Sequence, residues 1–92
     1  MYKILIADDE IKLRETMRDY LVSKGFQIVL ASDGEEALTA AFAQVFDLII
    51  LDVMMPGING IEVCREIRRQ QNIPVLFLSA LGEEEDLLTG YE

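Results

Sequence analysis

Acidic residues stand where two apolar runs end: Asp8 and Asp9 follow Ile4-Leu5-Ile6-Ala7, and Asp52 follows Leu48-Ile49-Ile50-Leu51. Both runs are continuously apolar rather than alternating, as expected of strands covered on both faces of a parallel sheet. In an open parallel α/β sheet the functional crevice lies beyond the carboxyl ends of the strands, near the point where strand order reverses. With the first strand central, the first and third are neighbours, and three carboxylates share one pocket. Two unit charges about 4 Å apart repel by roughly 1 to 4 kcal/mol over effective dielectrics of 80 to 20. A set of three therefore either raises a pKa or captures a cation. All-oxygen ligation favours Mg²⁺, Mn²⁺ or Ca²⁺ over zinc, and a few protein ligands completed by water suit Mg²⁺. Such an ion would neutralise the pocket so that an anionic phosphoryl group can approach a carboxylate nucleophile.

Taken singly, each of these residues has a plainer reading. An Asp after a strand is usually a helix cap or a loop acid, and Ser79 would likewise cap the helix that follows it. Gly57 and Gly60 read as turn residues, because neither G-x-G-x-x-G nor G-x-x-x-x-G-K-[ST] occurs. Cys64 lies at helical spacing between Ile61 and Ile67 and reads as a core residue, and Met54 and Met55 read as loop or packing residues. It is the triple of Asp8, Asp9 and Asp52 that carries the chemical reading.

Positioning these acids requires strands and helices in alternation. Two further strands are expected, at residues 26–31 and at Pro74-Val75-Leu76-Phe77-Leu78-Ser79, where Pro stands only at the start. Leu13, Met17 and Leu21, with Tyr20 beside them, predict one face of a first helix ending at Gly25. Asp33 followed by Glu36 resembles a capping box and opens a helix with Ala37, Leu38, Ala41 and Phe42 on its apolar face. Ile61, Cys64 and Ile67 mark a third helix, and residues 83–91 begin a fourth with acids in its first turn. Strand–helix alternation implies right-handed βαβ units in a three-layer α/β sandwich.

Composition sets the outer limits. The 92 residues fit one domain, residues 1–92, with room for a single core. Eight Lys and Arg against 17 Asp and Glu give a formal charge of −9, which argues against electrostatic binding to nucleic acid or anionic membrane. Without His there is no Ser-His-Asp triad and no imidazole zinc site, and the single Cys64 excludes an internal disulfide. Neither a secretory signal nor an apolar run of membrane-spanning length is present, so the expected location is the cytoplasm.

At this point the residues resemble a known family, the receiver domains of bacterial two-component response regulators. Ile4-Leu5-Ile6-Ala7-Asp8-Asp9-Glu10 resembles the acidic first-strand motif and Asp33-Gly34-Glu35-Glu36-Ala37-Leu38 the start of the second helix. Leu51-Asp52-Val53-Met54-Met55-Pro56-Gly57-Ile58-Asn59-Gly60 resembles the phosphoacceptor loop, and Pro74-Val75-Leu76-Phe77-Leu78-Ser79-Ala80 the fourth strand with its switch hydroxyl. The likeness covers the whole chain. It implies a flavodoxin-like fold of strand order 2-1-3-4-5, of which this chain supplies 2-1-3-4. By the same resemblance Asp52 is the phosphoacceptor. Asp9, Asp52 and the backbone carbonyl of Met54 ligate Mg²⁺ (or Mn²⁺), with Asp8 acting through a water. Ser79 and the backbone N–H of Ala80 bond a phosphoryl oxygen.

Further implications concern partners. The phosphoryl group comes from a sensor histidine kinase or a His phosphotransfer domain, so the chain needs no His of its own. It is a phosphoacceptor signalling domain rather than an enzyme, although it assists its own phosphoryl transfer and dephosphorylation. The wording of Met54-Met55-Pro56 and of Gly82-Glu83-Glu84-Glu85-Asp86 most resembles receivers joined to winged-helix transcription factors, so DNA is reached only through an absent effector domain. Receivers of this kind continue into a fifth strand bearing a Lys-Pro pair and a fifth helix, which would lie beyond Glu92. On this expectation the edge at Val75-Leu76-Phe77-Leu78 is open and favours self-association. The alternative is a truncated or degenerate receiver acting as a non-phosphorylated protein-interaction module. A carboxylate-nucleophile phosphatase fits less well, because Met54 stands where a second acid would be needed two residues after Asp52.

Overall fold

The computed structural model describes residues 2–78. Its elements are β1 (Lys3–Ala7), α1 (Ile11–Ser23), β2 (Gln27–Ala31), α2 (Gly34–Ala43), β3 (Leu48–Asp52), α3 (Gly60–Arg68) and β4 (Val75–Leu78). Among the described residues all strand pairings are parallel and the order is β2-β1-β3-β4, as the family resemblance implies. The fourth helix expected over residues 83–91 lies outside the described residues.

The uninterrupted apolar runs are explained by the two cores. Leu5 and Ala7 of β1, with Ile49 and Leu51 of β3, pack against Ala37 and Ala41 of α2 and Val63 and Ile67 of α3. The alternate residues Ile4, Ile6 and Ile50 form a second cluster with Met17 and Leu21 of α1. One helical layer thus lies on each side of the sheet, and neither strand has a polar face to show.

Helix faces depart from the simplest periodic reading. Met17 and Leu21 support the sheet, but Leu13 and Tyr20 are exposed, and no residue of α1 is fully buried. In α2 the small residues Ala37 and Ala41 make the close contact, so Phe42 at the margin of the stripe is left half in solvent. On α3 the buried line runs through Gly60, Val63 and Ile67; Ile61 is exposed and Cys64 only half-buried at the edge of the core. In each helix only a narrow stripe meets the sheet, and in α2 that stripe is made of small residues.

Helix ends follow side-chain chemistry. Gly25, at φ +96°, closes α1 where an L side chain would be strained, and its N–H donates to the carbonyl of Val22. The Asp33 carboxylate accepts from the N–H of Glu36 at 2.8 Å, as a capping box requires. The return contact falls one residue early: Glu36 accepts from both the N–H and the hydroxyl of Ser32, which hold its carboxyl below the usual range.

Gly60 has a different task. Its N–H donates to the carbonyl of Val53 at 3.1 Å, and a Cβ there would collide with the backbone carbonyl of Asp52. A helix thus starts directly against the strand end that bears Asp52. Replacing Gly60 by Ala is expected to cost about 2 kcal/mol through forced backbone displacement. Urea unfolding checks this, and a wild-type midpoint for Gly60→Ala would show that the approach is looser than described.

Candidate functional site

Register decides which acids meet. Ala7 of β1 pairs with Leu51 of β3, so the two strands end level and deliver Asp8 and Asp52 to the same height. On the other side of β3, Asp52 pairs with Leu78. From β1 the chain leaves toward β2 on one side while β3 lies on the other, so the acids sit where strand order reverses.

One carboxylate oxygen from each of Asp8, Asp9 and Asp52 lies within 4.8 Å of the others. Asp8 is 2% exposed and is the one fully buried charged residue among those described. Its N–H donates to the Ala31 carbonyl of β2 at 3.1 Å, and its Oδ1 accepts from the N–H of Glu10 at 2.8 Å. Asp52 is half-buried and accepts from the N–H of Met54 at 3.2 Å, while the Asp9 side chain is exposed.

The loop after Asp52 is fastened at both ends. Val53 donates to the carbonyl of Leu78 at 3.1 Å, tying the loop to β4, and Asn59 caps α3 by accepting from the N–H of Glu62 at 2.9 Å. Met54 projects into solvent at 66% exposure, whereas Met55 is buried in the core. Ser79 and Ala80 lie outside the described residues.

Among the described residues no side chain forms an ion pair with these carboxylates. Among the described residues the ion pairs are Arg18 with Asp19 and Arg69 with Glu66, and neither touches the cluster. The guanidinium of Arg14 bonds the backbone carbonyl of Asp8 at 2.7 Å rather than a carboxylate. Burial pushes the Asp52 carboxyl up to about 6, helped by the charges of Asp8 and Asp9, against the opposing bond from Met54. Asp8 is raised as well, chiefly by burial and then by its acidic neighbours, against the bond from Glu10 and the charge of Arg14. A group of hard oxygen donors that resist ionising together fits a small divalent cation, whose charge would offset both the burial and the repulsion that raise those pKa values.

Sequence reasoning found all three acids but missed two supports. Asn59 followed by Glu62 has the spacing of an N-terminal cap and could have been read. Arg14 could not, because its partner is a backbone carbonyl that carries no side-chain signature.

A raised pKa has a definite consequence for stability. The folded Asp52 binds its proton more tightly than an unfolded Asp, so its contribution to stability is complete below about pH 4. That contribution is lost as pH rises through the folded value of about 6. Without divalent cations, Asp52→Asn is therefore expected to be more stable than wild type at pH 7.5. Allowing for solvent screening, the gain is on the order of 1 kcal/mol. Urea melts at pH 7.5 and pH 4.5 check this; the advantage should shrink at the lower pH.

Comparison with known proteins gives consistent matches. A family model described as the response regulator receiver domain matches residues 4–92. The transcriptional regulatory protein ResD of Bacillus subtilis is 44% identical over 90 residues, which cover 98% of this chain and 38% of ResD. The chain therefore spans well under half the length of that relative. Among solved structures, the response regulator TrrA of Thermotoga maritima in complex with Mg²⁺-BeF is 39% identical with a TM-score of 0.87, over 99% of this chain and 80% of that one. A complex of the histidine kinase ThkA with TrrA matches at 43% identity and a TM-score of 0.81, over 87% of this chain and 70% of that one.

Proposed function

The chain belongs to the response regulator receiver domain family, and on that premise we propose that it accepts a phosphoryl group on Asp52 from the phosphohistidine of a sensor histidine kinase or a His phosphotransfer domain. The observation that carries this reading is the meeting of Asp8, Asp9 and Asp52 at the level ends of β1 and β3. TrrA's capture with Mg²⁺-BeF and with a histidine kinase supports the same chemistry and the same class of partner. The domain is a phosphoacceptor rather than a conventional enzyme, because the group it receives stays on its own side chain. In keeping with the ResD likeness, its output is regulation of transcription through a separate DNA-binding domain of a longer cytoplasmic protein.

In the transfer, a carboxylate oxygen of Asp52 attacks phosphorus in line while the bond to the partner's imidazole nitrogen breaks, the leaving nitrogen keeping the electron pair. The bond from the Met54 N–H fixes one oxygen of Asp52 and restricts the direction of attack. With the carboxyl at about 6, Asp52 is mostly ionised near neutral pH and competent as a nucleophile. Mg²⁺, or Mn²⁺ in its place, would be held by Asp9, Asp52 and the Met54 carbonyl, with Asp8 reaching it through water. When bound it supplies the positive charge that lets an anionic phosphoryl group approach carboxylates. Ser79 and the N–H of Ala80 would bond a phosphoryl oxygen.

Intact mass after incubation with Mg²⁺ and a small acyl phosphate tests the acceptor. Wild type should gain one phosphoryl group and Asp52→Asn none, while Asp9→Ala should bind Mg²⁺ at least about tenfold more weakly by calorimetry. Uptake by Asp52→Asn at the wild-type rate refutes the assignment, and a folded wild type that takes up none favours a non-phosphorylated interaction module.

A second proposal concerns β4. Among the described residues it pairs with a strand on one side only, and Leu76 is 43% exposed. An apolar strand edge of this kind templates pairing with another chain. We expect concentration-dependent dimers in sedimentation velocity, and a monomer at all concentrations would exclude them.

A further inference from the structure

The three peptide units around Asp9 are each pinned by one hydrogen bond. The carbonyl between Asp8 and Asp9 accepts from Nη1 of Arg14 at 2.7 Å. The N–H between Asp9 and Glu10 donates to Oδ1 of Asp8 at 2.8 Å. The carbonyl of Glu10 accepts from the backbone N–H of Arg14 at 3.0 Å. Two of the three bonds therefore come from one residue, which grips the turn from its first helical turn onward with both its main chain and its side chain. Asp9 itself is exposed, so no packing holds its carboxylate in place, and its direction is set by the backbone that carries it.

From this geometry we propose that Arg14 is a positioning residue for the metal-binding carboxylate of Asp9, an inference that rests on the metal reading given above. Arg14 is half-buried and its guanidinium bonds a backbone carbonyl, and among the described residues the carboxylates of the cluster form no ion pair. A cation seated on those carboxylates would compete with Mg²⁺ for the same oxygens. Placed on the carbonyl, it orders the turn while the oxygens stay available. Arginine suits the position because its fork is rigid and always charged, whereas lysine offers a mobile point charge.

The sign of the effect separates this role from simple electrostatics. Arg14 carries positive charge beside an acidic pocket, so its charge alone opposes a bound cation. Removing that charge should tighten Mg²⁺ binding if Arg14 acts only through its field, and weaken it if Arg14 holds Asp9 in place. Arg14→Met keeps an unbranched stem and a good helix former but offers no donor. Mg²⁺ is titrated calorimetrically into the 92-residue chain for wild type, Arg14→Met and Arg14→Lys, with hydrogen exchange of the Glu10 amide as a local readout.

The expected result is about tenfold weaker Mg²⁺ binding by Arg14→Met, the size typical of losing a group that orients a ligand. Exchange at the Glu10 amide should quicken while amides of β1 and β3 keep their protection, which a general loss of stability would not produce. Equal or tighter binding by Arg14→Met overturns the inference. If Arg14→Met lowers the urea midpoint, Arg14→Lys decides: weakened binding supports the positioning role, and wild-type affinity overturns it. Absence of Mg²⁺ binding by the wild type itself would refute the metal site and this inference together, whereas a failure confined to the Arg14 variants leaves the metal site standing.

Discussion

Repulsion among three carboxylates is the interaction on which the rest of this structure turns. A folded chain has every thermodynamic reason to keep like charges apart, yet the parallel pairing of β1 with β3 brings Asp8 and Asp52 level and sets Asp9 beside them. Burying Asp8 increases the penalty, because a low-dielectric surround disfavours its charged form. The cost is tolerated because the apolar residues immediately before these acids, Leu5 to Ala7 and Ile49 to Leu51, are almost wholly withdrawn from water on both sides of the sheet. Each of the Leu and Ile side chains among them contributes roughly 1.5 to 3 kcal/mol, so a few of them outweigh the repulsion at the strand ends.

This arrangement also explains the local bonding around the site. Carboxylates that repel must be held by something other than one another, and here the restraint comes from backbone groups. Glu10 and Met54 donate to Asp8 and Asp52, Ala31 accepts from Asp8, and Gly60 brings α3 close enough to lock the loop after β3. Backbone donors favour the ionised form without adding a competing cation. The pocket thus stays anionic and geometrically fixed at the same time.

Much of this was legible in the sequence because strands covered on both faces leave an unmistakable mark. Ile4-Leu5-Ile6-Ala7 and Leu48-Ile49-Ile50-Leu51 have no polar alternation, so a central position in a parallel sheet was the natural reading, and the acids after them fell at its carboxyl edge. The helix faces were less legible. Periodicity weighs Phe42, Ile61 and Tyr20 as heavily as Ala41 or Val63, but which of them meets the sheet depends on how each helix is rotated onto it, and Ile61 is exposed where Ile67 on the same helix is buried. Hidden altogether were contacts to backbone atoms: Ser32 replacing Asp33 as the donor to Glu36, and Arg14 on the carbonyl of Asp8. A side-chain pattern can announce a salt bridge or a cap, but it carries no trace of which carbonyl a long side chain will reach.

The hydrogen bond from Val53 to the carbonyl of Leu78 links the site to the rest of the sheet. Val53 directly follows Asp52, and Leu78 is the residue paired with Asp52 across β3 and β4. A new group on Asp52 changes charge and occupied volume at the start of this loop, and the loop's far end is fixed at Gly60 against the same strand. The loop after Asp52 is therefore tied to β4 at its start and packed against the end of β3 through Gly60. β4, on which Leu76 is half in solvent, is thus joined to Asp52 through one residue and one hydrogen bond.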